Sequence, residues 1–207
     1  MRCLEICCGT KSFSKVFENS LTIDIEEKFN PDILIEGCEW NYKEYDVGYF
    51  DFIWASPPCV SFSNMAGGKH RDKVTLEPKT ETGKQGDKIL NKVLEIIDYL
   101  KPKYFCIENP RGYMRKMPQL KDIPRTTVNY CKYGSKFFKP TDLFNNFNYV
   151  GKTCEYERKG KKVDCHHLRV KGSHKDRERG GIQRVSREEA YSIPEGLFTD
   201  IKLFIEN

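Results

Sequence analysis

The chain has 207 residues, which is enough for one α/β domain with a substantial core and short for two domains. Its composition, 38% hydrophobic and 31% charged, is typical of a soluble globular protein. No apolar run approaches the ~18 residues that a membrane-spanning helix needs. Glu5 interrupts the short apolar run at the N-terminus, which does not resemble a secretory signal. The sequence therefore predicts neither membrane insertion nor export.

The cysteine content indicates a reducing compartment. There are nine cysteines, and an odd number without an export signal argues against a disulfide framework. We expect most of them to be small buried side chains.

The positive charge is concentrated near the C-terminus. The net charge is +5, and residues 151–184 contain eleven Lys and Arg against five Asp and Glu, with three of the four histidines. Such a segment is either a solvated surface or a contact for a nucleic-acid backbone. We expect a single domain over residues 1–207, in which 151–184 is a basic insertion.

Predicted strands and helices alternate along the first half of the chain. A helix with Phe13, Val16 and Phe17 on one face is expected after the first strand, and a long polar loop is expected after the fourth. The predicted strands are 2–7, 21–25, 32–35 and 50–55, the helix is 12–19, and the loop is 64–85.

The second half begins with the clearest helical pattern, which we expect Asp87 to cap and Lys101-Pro102 to end. Strands are predicted at 104–107 and 126–133, and a last helix begins at Ile193-Pro194. This order predicts an α/β fold with a doubly wound, mostly parallel sheet.

A proline turn follows the fourth predicted strand and leads into Cys59. Ligands bind at the carboxyl ends of strands in open α/β sheets, and Pro57-Pro58 makes a rigid turn there. A thiolate at this position is a candidate nucleophile. The alternative is a small buried cysteine behind a structural turn.

Glu108-Asn109-Pro110 follows the next strand. If the fourth and fifth strands are neighbours, Glu108 lies across the sheet edge from Cys59. A thiol facing a carboxylic acid suits attack on a ring that can be protonated. The alternative is an acid that is hydrogen-bonded within a turn.

Acidic residues at the first strand ends suit a nucleoside cofactor. Gly9 at the first turn allows close approach of the backbone, and Asp24 can accept from ribose hydroxyls. Glu36 is a candidate acceptor for an adenine amino group, with Glu39 as its rival. The G-x-G-x-x-G fingerprint is absent, with Lys11 where a glycine would be expected, which disfavours a NAD enzyme.

These features together resemble the cytosine-C5 DNA methyltransferases. The similarity runs from a first motif at 5–13, through the Pro-Pro-Cys-x-x-Phe-Ser loop at 57–63, to Glu108-Asn109. It ends in a closing motif at 186–197, with Ile193-Pro194 before the last helix.

The resemblance implies an S-adenosylmethionine-dependent methyltransferase fold and a covalent mechanism. Cys59 would add to C6 of a flipped cytosine, Glu108 would hold N3 and the exocyclic amine, and Asn109 would support the catalytic loop. A lysine and a threonine near the cleft, Lys139 and Thr141, would hold phosphate or the carbonyl oxygen of the base, although a plain surface loop is the alternative.

The same resemblance implies the cofactor, its pocket and the partner. S-adenosylmethionine would bind, and S-adenosylhomocysteine would leave as the product. The partner would be DNA, most simply double-stranded, and the protein would be intracellular, in the cytoplasm or associated with the nucleoid or nucleus. The polar loop, with Lys69, Arg71, Lys73, Lys79 and Lys84, would close over the DNA. The expected pocket residues are Glu5, Cys7, Gly9, Thr10, Lys11, Phe13, Asp24, Ile25, Glu36 and Pro58.

The chain departs from the family pattern in three places. Lys11 and Ser12 replace two glycines of the first motif, and Phe137, Lys139 and Thr141 replace a Gln-x-Arg-x-Arg motif. Residues 151–184 stand where a larger target-recognition domain is usual. A segment this small reads few base edges, which predicts short or relaxed sequence specificity.

The basic insertion also contains residues that bind zinc in other proteins. The candidates are Cys154, Cys165, His167 and His174, with His166 next to them. The long gap between the two cysteines is unlike a paired C-x-x-C motif, so a basic loop with incidental histidines is the alternative.

Two other functions remain open from the sequence. One keeps the chemistry but acts on RNA, single-stranded DNA or a pyrimidine nucleotide. The other is a non-catalytic nucleic-acid-binding protein on a methyltransferase fold, against which the presence of both Cys59 and Glu108 argues.

Overall fold

A seven-stranded, mostly parallel sheet organises the chain. A computed structural model describes residues 1–66, 68–154 and 187–207. The strand order is β3-β2-β1-β4-β5-β7-β6, in which β1 to β5 run parallel and β7 runs antiparallel to both of its neighbours. The strands are β1 Cys3–Ile6, β2 Ser20–Asp24, β3 Ile33–Leu34, β4 Phe52–Ala55, β5 Tyr104–Pro110, β6 Arg125–Asn129 and β7 Pro140–Asn145.

Three α-helices lie within the described residues: α1 Glu81–Leu100, α2 Arg187–Tyr191 and α3 Glu195–Glu206. As predicted, α1 ends at Lys101, which takes the left-handed conformation (φ 44°) before Pro102. None of these three helices combines the length and apolarity needed to cross a bilayer.

Alternation along the strands builds a core on each face of the sheet. In β4, Ile53 and Ala55 belong to the cluster that also contains the buried side of α1. Phe52 and Trp54 point to the other face, where they pack with the buried side of α3. The mostly parallel α/β architecture predicted from the sequence is confirmed.

The predicted helix at 12–19 is wrong, because this segment is a series of turns. Lys11 has a positive φ of 55°, and the N–H groups of Phe13 and Ser14 donate to the Glu5 carboxylate. Too few consecutive backbone bonds remain for a helix. The apolar pattern is nevertheless used, since Phe13 and Phe17 stack at 4.4 Å in the core.

The prediction that Asp87 caps α1 is also wrong. The helix begins at Glu81, and the Thr80 hydroxyl accepts from the Gly83 N–H at 3.2 Å. The predicted loop at 64–85 therefore overlaps the first turn of this helix. Gly83 and Gly86 lie in its first turns and allow close packing. A Cβ on Gly86 would lie 2.1 Å from the Ser61 hydroxyl, so only glycine lets α1 approach the turn that follows Cys59.

The end of the sheet differs from the prediction in two ways. β7 was not predicted, because Pro140 and the polar residues around it hide its short apolar run. It inserts between β5 and β6, and its pairing extends β5 to Pro110. Glu108 and Asn109 therefore lie inside a strand and not after it. β6 is shorter than predicted, since residues 130–133 form a 3₁₀ turn.

The loop between β4 and α1 is anchored by Arg71, which was expected to contact DNA. Its side chain is 1% exposed, and it donates to both Asp87 oxygens and to the Leu76 carbonyl. Its guanidinium lies 4.7 Å from the centre of the Phe62 ring. Arg71 therefore joins α1 to the turn after Cys59 and is not available to a nucleic acid.

We predict that Arg71→Met lowers the free energy of unfolding by about 3 kcal/mol, because Asp87 loses its partner in a partly buried site. Lys79→Met is the matched control on the same loop. Lys79 pairs with Asp72 at 3.2 Å, but the two side chains are 51% and 34% exposed, so a loss below about 1 kcal/mol is expected. Urea unfolding measures both, and equal losses would contradict a structural role for Arg71.

Candidate active site

A cavity of about 550 Å³ lies at the carboxyl ends of β1, β2, β4 and β5. This is the edge where open α/β sheets bind ligands, and the volume is within the range of small-molecule sites. Cys59, Glu108 and Lys139 lie in its wall, together with eight of the ten residues expected to bind the cofactor. The eight are Glu5, Cys7, Gly9, Thr10, Asp24, Ile25, Glu36 and Pro58.

Cys59 begins a 3₁₀ turn directly after the two prolines. Its carbonyl accepts from the N–H groups of Phe62 and Ser63 at 3.0 and 2.8 Å, and the buried Phe62 ring holds this turn against the core. The parallel pairing of β4 with β5 sets Ala55 beside Ile107, so the two strands deliver Cys59 and Glu108 to one edge.

Glu108 is buried, at 4% exposure, and has hydroxyl donors around it. The Tyr130 hydroxyl donates to Glu108 Oε1 at 2.8 Å, and the Ser56 hydroxyl lies near enough to this carboxylate to favour its charged form. Burial raises the pKa of Glu108, while Lys139 and the two hydroxyls oppose that rise. The pKa of this carboxyl is therefore closer to neutral pH than the pKa of an exposed glutamate.

Cys59 and Glu108 are electrostatically coupled. Burial and the negative charge of Glu108 raise the pKa of the Cys59 thiol, whereas the positive charge of Lys139 lowers it. The Cys59 thiol therefore holds its proton more tightly than a free cysteine does, and a nearby positive charge is needed to favour the thiolate. The geometry therefore supplies a nucleophile and a proton donor in one cavity wall, with a lysine that compensates negative charge on either.

Asn109 supports the turn and does not line the cavity. Its Nδ2 donates to the Pro57 carbonyl at 2.9 Å, and its side chain is fully buried. This bond ties β5 to the proline turn directly, which is the supporting contact that the resemblance implied.

The opposite end of the cavity is acidic. Asp24 accepts from the N–H groups of Gly9 at 2.8 Å and Glu26 at 2.9 Å, which holds the two turns together. Each carboxylate oxygen keeps acceptor capacity for a ligand hydroxyl. Glu5 is buried beneath the first turn, and burial raises its pKa to about 7.

Glu36 and not its rival Glu39 lies in the cavity wall. Its carboxylate accepts from Gln85 of α1 and lies 3.8 Å from the Lys88 ammonium. Glu39 is exposed and is not among the residues of the cavity wall. Of the two candidates that the sequence left open, the structure thus places Glu36 at the cavity.

The remaining predicted site residues lie elsewhere. Lys11 is outside the cavity wall, and the Phe13 ring is fully buried in the core beside Trp54. Thr141 is also fully buried, with its hydroxyl 3.3 Å from the Lys139 carbonyl, so it does not reach the space where a substrate base would sit.

Several wall residues were not predicted. Ser56 precedes the prolines, Gln85 and Ile89 come from α1, and Tyr191 and Ile193 come from the C-terminal segment. The closing motif before α3, at residues 186–197, contained a signal for Tyr191 and Ile193. No sequence signal identified Gln85 and Ile89, because their segment was interpreted as the junction of a loop and a helix.

The zinc hypothesis is not tested, because Cys165, His166, His167 and His174 lie outside the described residues. Cys154 is buried, and its N–H donates to Asn129 at 2.8 Å. Within residues 1–66, 68–154 and 187–207, no three His, Cys, Asp or Glu side chains form a metal-binding group.

Comparison with known families agrees with this geometry. A model of the C-5 cytosine-specific DNA methylase family matches residues 2–131, which include β1 to β6 and both Cys59 and Glu108. The chain belongs to this family. The match ends before β7, so Lys139 and Thr141 lie beyond it.

Relatives of this DNA methylase occur in a virus and in an animal. The chain is 34% identical over 170 residues to a Frog virus 3 (isolate Goorha) protein named "Probable DNA (cytosine-5)-methyltransferase", covering 74% of this chain and 75% of that protein. It is 30% identical over 119 residues to the human tRNA (cytosine(38)-C(5))-methyltransferase, covering 53% of this chain and 25% of the human protein.

The fold of the DNA methylase is also found among solved structures. An Entamoeba histolytica methyltransferase superposes with a TM-score of 0.52 at 15% identity, covering 79% of this chain and 61% of that chain. At this identity the likeness supports the fold alone, which is a methyltransferase α/β fold.

We predict that Lys139→Gln slows alkylation of Cys59 by iodoacetamide at pH 8 by about threefold or more. Removing the positive charge raises the thiol pKa further and leaves less thiolate to react. Quantitative mass spectrometry of the Cys59 peptide measures the rate. Lys136→Gln, an exposed lysine in the same segment, is the control. An unchanged rate in Lys139→Gln would show that the lysine does not act on the thiol.

Proposed function

We propose that this family member is an S-adenosylmethionine-dependent DNA (cytosine-5)-methyltransferase that acts through a covalent adduct between Cys59 and C6 of a flipped cytosine. The observation that carries the proposal is that Cys59 and Glu108 lie in one cavity wall, where burial raises the pKa of both groups and the negative charge of Glu108 raises that of Cys59 further. C5 of cytosine is a poor nucleophile, and covalent addition at C6 divides one difficult step into easier ones.

The protons and electrons of the reaction can be assigned to these residues. The Cys59 thiol loses its proton to water, and the thiolate forms the S–C6 bond while Glu108 gives a proton to N3. The electron pair displaced from the ring then makes C5 nucleophilic, and C5 takes the methyl group. Water removes the C5 proton, the S–C6 bond breaks as the C5–C6 double bond returns, and N3 returns its proton to Glu108. Lys139 favours the thiolate at the start and at the end.

The charge of the cavity fits the cofactor. Its wall contains five acids, Glu5, Asp24, Glu26, Glu36 and Glu108, against two lysines, Lys28 and Lys139. An acidic cavity suits a cationic nucleoside better than an anionic dinucleotide. When bound, S-adenosylmethionine supplies an electrophilic methyl group on a positively charged sulfur. Asp24 would accept from its ribose hydroxyls, and Glu36 would accept from its adenine amine.

We further propose that double-stranded DNA is the polymer. A cytosine in a duplex must leave the base stack to reach a cavity of this depth. On the loop after Cys59, the side chains of Lys69 and Lys73 are exposed and can contact phosphates. Lys79 and Lys84 are exposed as well, but each pairs with a nearby acid, Asp72 and Glu81 respectively.

The proposal extends to specificity and location. Residues 151–184 are few for a recognition domain, which favours a short or relaxed target sequence. A protein that methylates DNA would act inside a cell, in the cytoplasm or in association with the nucleoid or nucleus.

RNA is the second candidate substrate, because one relative is a tRNA methyltransferase. Transfer of labelled methyl groups to duplex DNA, single-stranded DNA and RNA of one sequence discriminates between the polymers. Duplex DNA is expected to be preferred, and exclusive methylation of RNA would overturn the DNA assignment. Absence of transfer to all three, with cofactor binding retained, would favour the non-catalytic alternative.

We predict that Cys59→Ser loses nearly all turnover, by about a thousandfold or more, while it binds S-adenosylmethionine normally. A serine hydroxyl is far less ionised than a thiol, but the cofactor does not need the nucleophile. Duplex DNA with 5-fluorocytosine should trap an adduct at Cys59, because fluorine at C5 cannot leave as a proton does. Trapping at another cysteine would refute the assignment.

We predict that Glu36→Gln weakens S-adenosylmethionine binding by roughly tenfold. The glutamine amide lacks the negative charge that strengthens the hydrogen bond from the adenine amino group. Glu39→Gln, three residues along and outside the cavity, should bind as the unmodified protein does. Isothermal titration calorimetry measures both, and equal affinity in the two variants would remove Glu36 from the adenine site.

A further inference from the structure

Two hydroxyl groups from different parts of the fold meet the Glu108 carboxyl. Tyr130 lies in the turn after β6, and its hydroxyl donates to Oε1 at 2.8 Å. Ser56 directly follows β4, and its hydroxyl lies near the same carboxylate, where it lowers the pKa of the carboxyl. Neither residue was singled out from the sequence for this role.

The Ser56 hydroxyl is directed by its own neighbour. The Trp54 indole donates to Ser56 Oγ at 2.9 Å, and an indole N–H can only donate. Ser56 is therefore the acceptor in that bond, which leaves its proton for Glu108. Trp54 is fully buried, so this arrangement is built into the core and does not depend on solvent.

The Tyr130 hydroxyl is enclosed in the same way. Tyr130 is fully buried, and the Thr141 hydroxyl near its phenol donates to the Lys139 carbonyl at 3.3 Å. Glu108 Oε1 is the strongest acceptor within reach of the Tyr130 proton. The Lys139 ammonium lies 5.0 Å from the centre of the Tyr130 ring, so the same lysine faces the phenol and the cavity.

From this arrangement we infer that Tyr130 is a positioning residue of the reaction: with Ser56 it clamps the Glu108 carboxyl in the orientation that meets the substrate base. The inference rests on the proposed function, since it assigns the support of the group that holds cytosine N3. It also gives Thr141 a role behind Tyr130 in place of a contact with the base.

The clamp has an electrostatic effect that can be measured. Burial raises the pKa of Glu108, and hydrogen bonds donated to the carboxylate oppose the rise. The other titratable groups that interact with Glu108 are Lys139 just before β7, Asp142 of β7, Cys106 of β5 and Cys59. Removing the Tyr130 hydroxyl leaves these groups in place and takes away one donor. The carboxyl pKa should then rise.

The primary experiment titrates the Glu108 carboxyl in DNA-free protein by ¹³C NMR, with the signal assigned by its loss in Glu108→Gln. In Tyr130→Phe the titration is expected to move to higher pH by roughly 0.5–1 unit. Tyr133→Phe is the matched control, because Tyr133 lies in the same turn but its hydroxyl bonds Tyr149 at 3.0 Å and not Glu108. This variant should leave the titration unchanged.

This measurement separates the inference from the proposed function. An unshifted Glu108 titration in Tyr130→Phe would overturn the clamp, whatever the substrate proves to be. A shift in a protein that methylates none of the three polymers would retain the clamp and reject the proposed reaction. A shift of the same size in Tyr133→Phe would show a general effect of loosening the turn and would also overturn the clamp.

The activity of the variants provides the second test. Tyr130→Phe is expected to lower kcat by about tenfold or more with little change in KM for DNA, since the hydroxyl acts on the carboxyl and not on binding. The acid limb of its pH–rate profile should move to higher pH. This limb follows the lower of the two pKa values, which belongs to the Glu108 carboxyl and not to the Cys59 thiol. Ser56→Ala removes the other donor and should shift the limb in the same direction. An increase in KM with an unchanged kcat would contradict a positioning role for Tyr130.

Discussion

The structure depends on the burial of a carboxyl group beside a thiol at one edge of a parallel sheet. Burial of a charged glutamate without partners costs free energy, and the pKa of the group rises until it is neutral. Here Tyr130 and Ser56 supply hydroxyl donors, and Lys139 supplies a compensating charge. Because burial raises the pKa of Glu108, this carboxyl can hold the proton that is transferred while the Cys59 thiolate attacks.

Much of the surrounding fold serves to keep the turn that carries Cys59 in place. Asn109 bonds the Pro57 carbonyl from β5, Arg71 lies over the Phe62 ring, and Gly86 lets α1 approach Ser61. These contacts come from three separate parts of the chain and meet within a few residues of the nucleophile. A site built on such a rigid support positions its groups more precisely than one built on a free loop.

The cavity has two chemically different ends. The acidic end around Asp24 and Glu36 suits a cationic nucleoside, while the end around Cys59 and Lys139 suits a ring that receives a nucleophile and a proton. β1 and β2 deliver the first end, and β4 and β5 deliver the second. One sheet edge therefore brings a donor and an acceptor together, which is what group transfer between two bound molecules requires.

The sequence alone determined the parallel strands, their apolar faces and the turn with Cys59, because these depend on local periodicity and on proline geometry. It also identified Glu108 and Asp24 and left Glu36 and Glu39 as candidates for a third acid, since strand ends of a parallel sheet meet at one edge. Only the tertiary structure decided the rest. In the segment 12–19 the N–H groups of Phe13 and Ser14 bond the buried Glu5 carboxylate, and the glycines in the first turns of α1 let the helix pack closely on its neighbours. Arg71 is buried and Tyr130 reaches Glu108 for the same physical reason. Both contacts join residues far apart in the chain, and no local pattern records which partner a buried polar group will find.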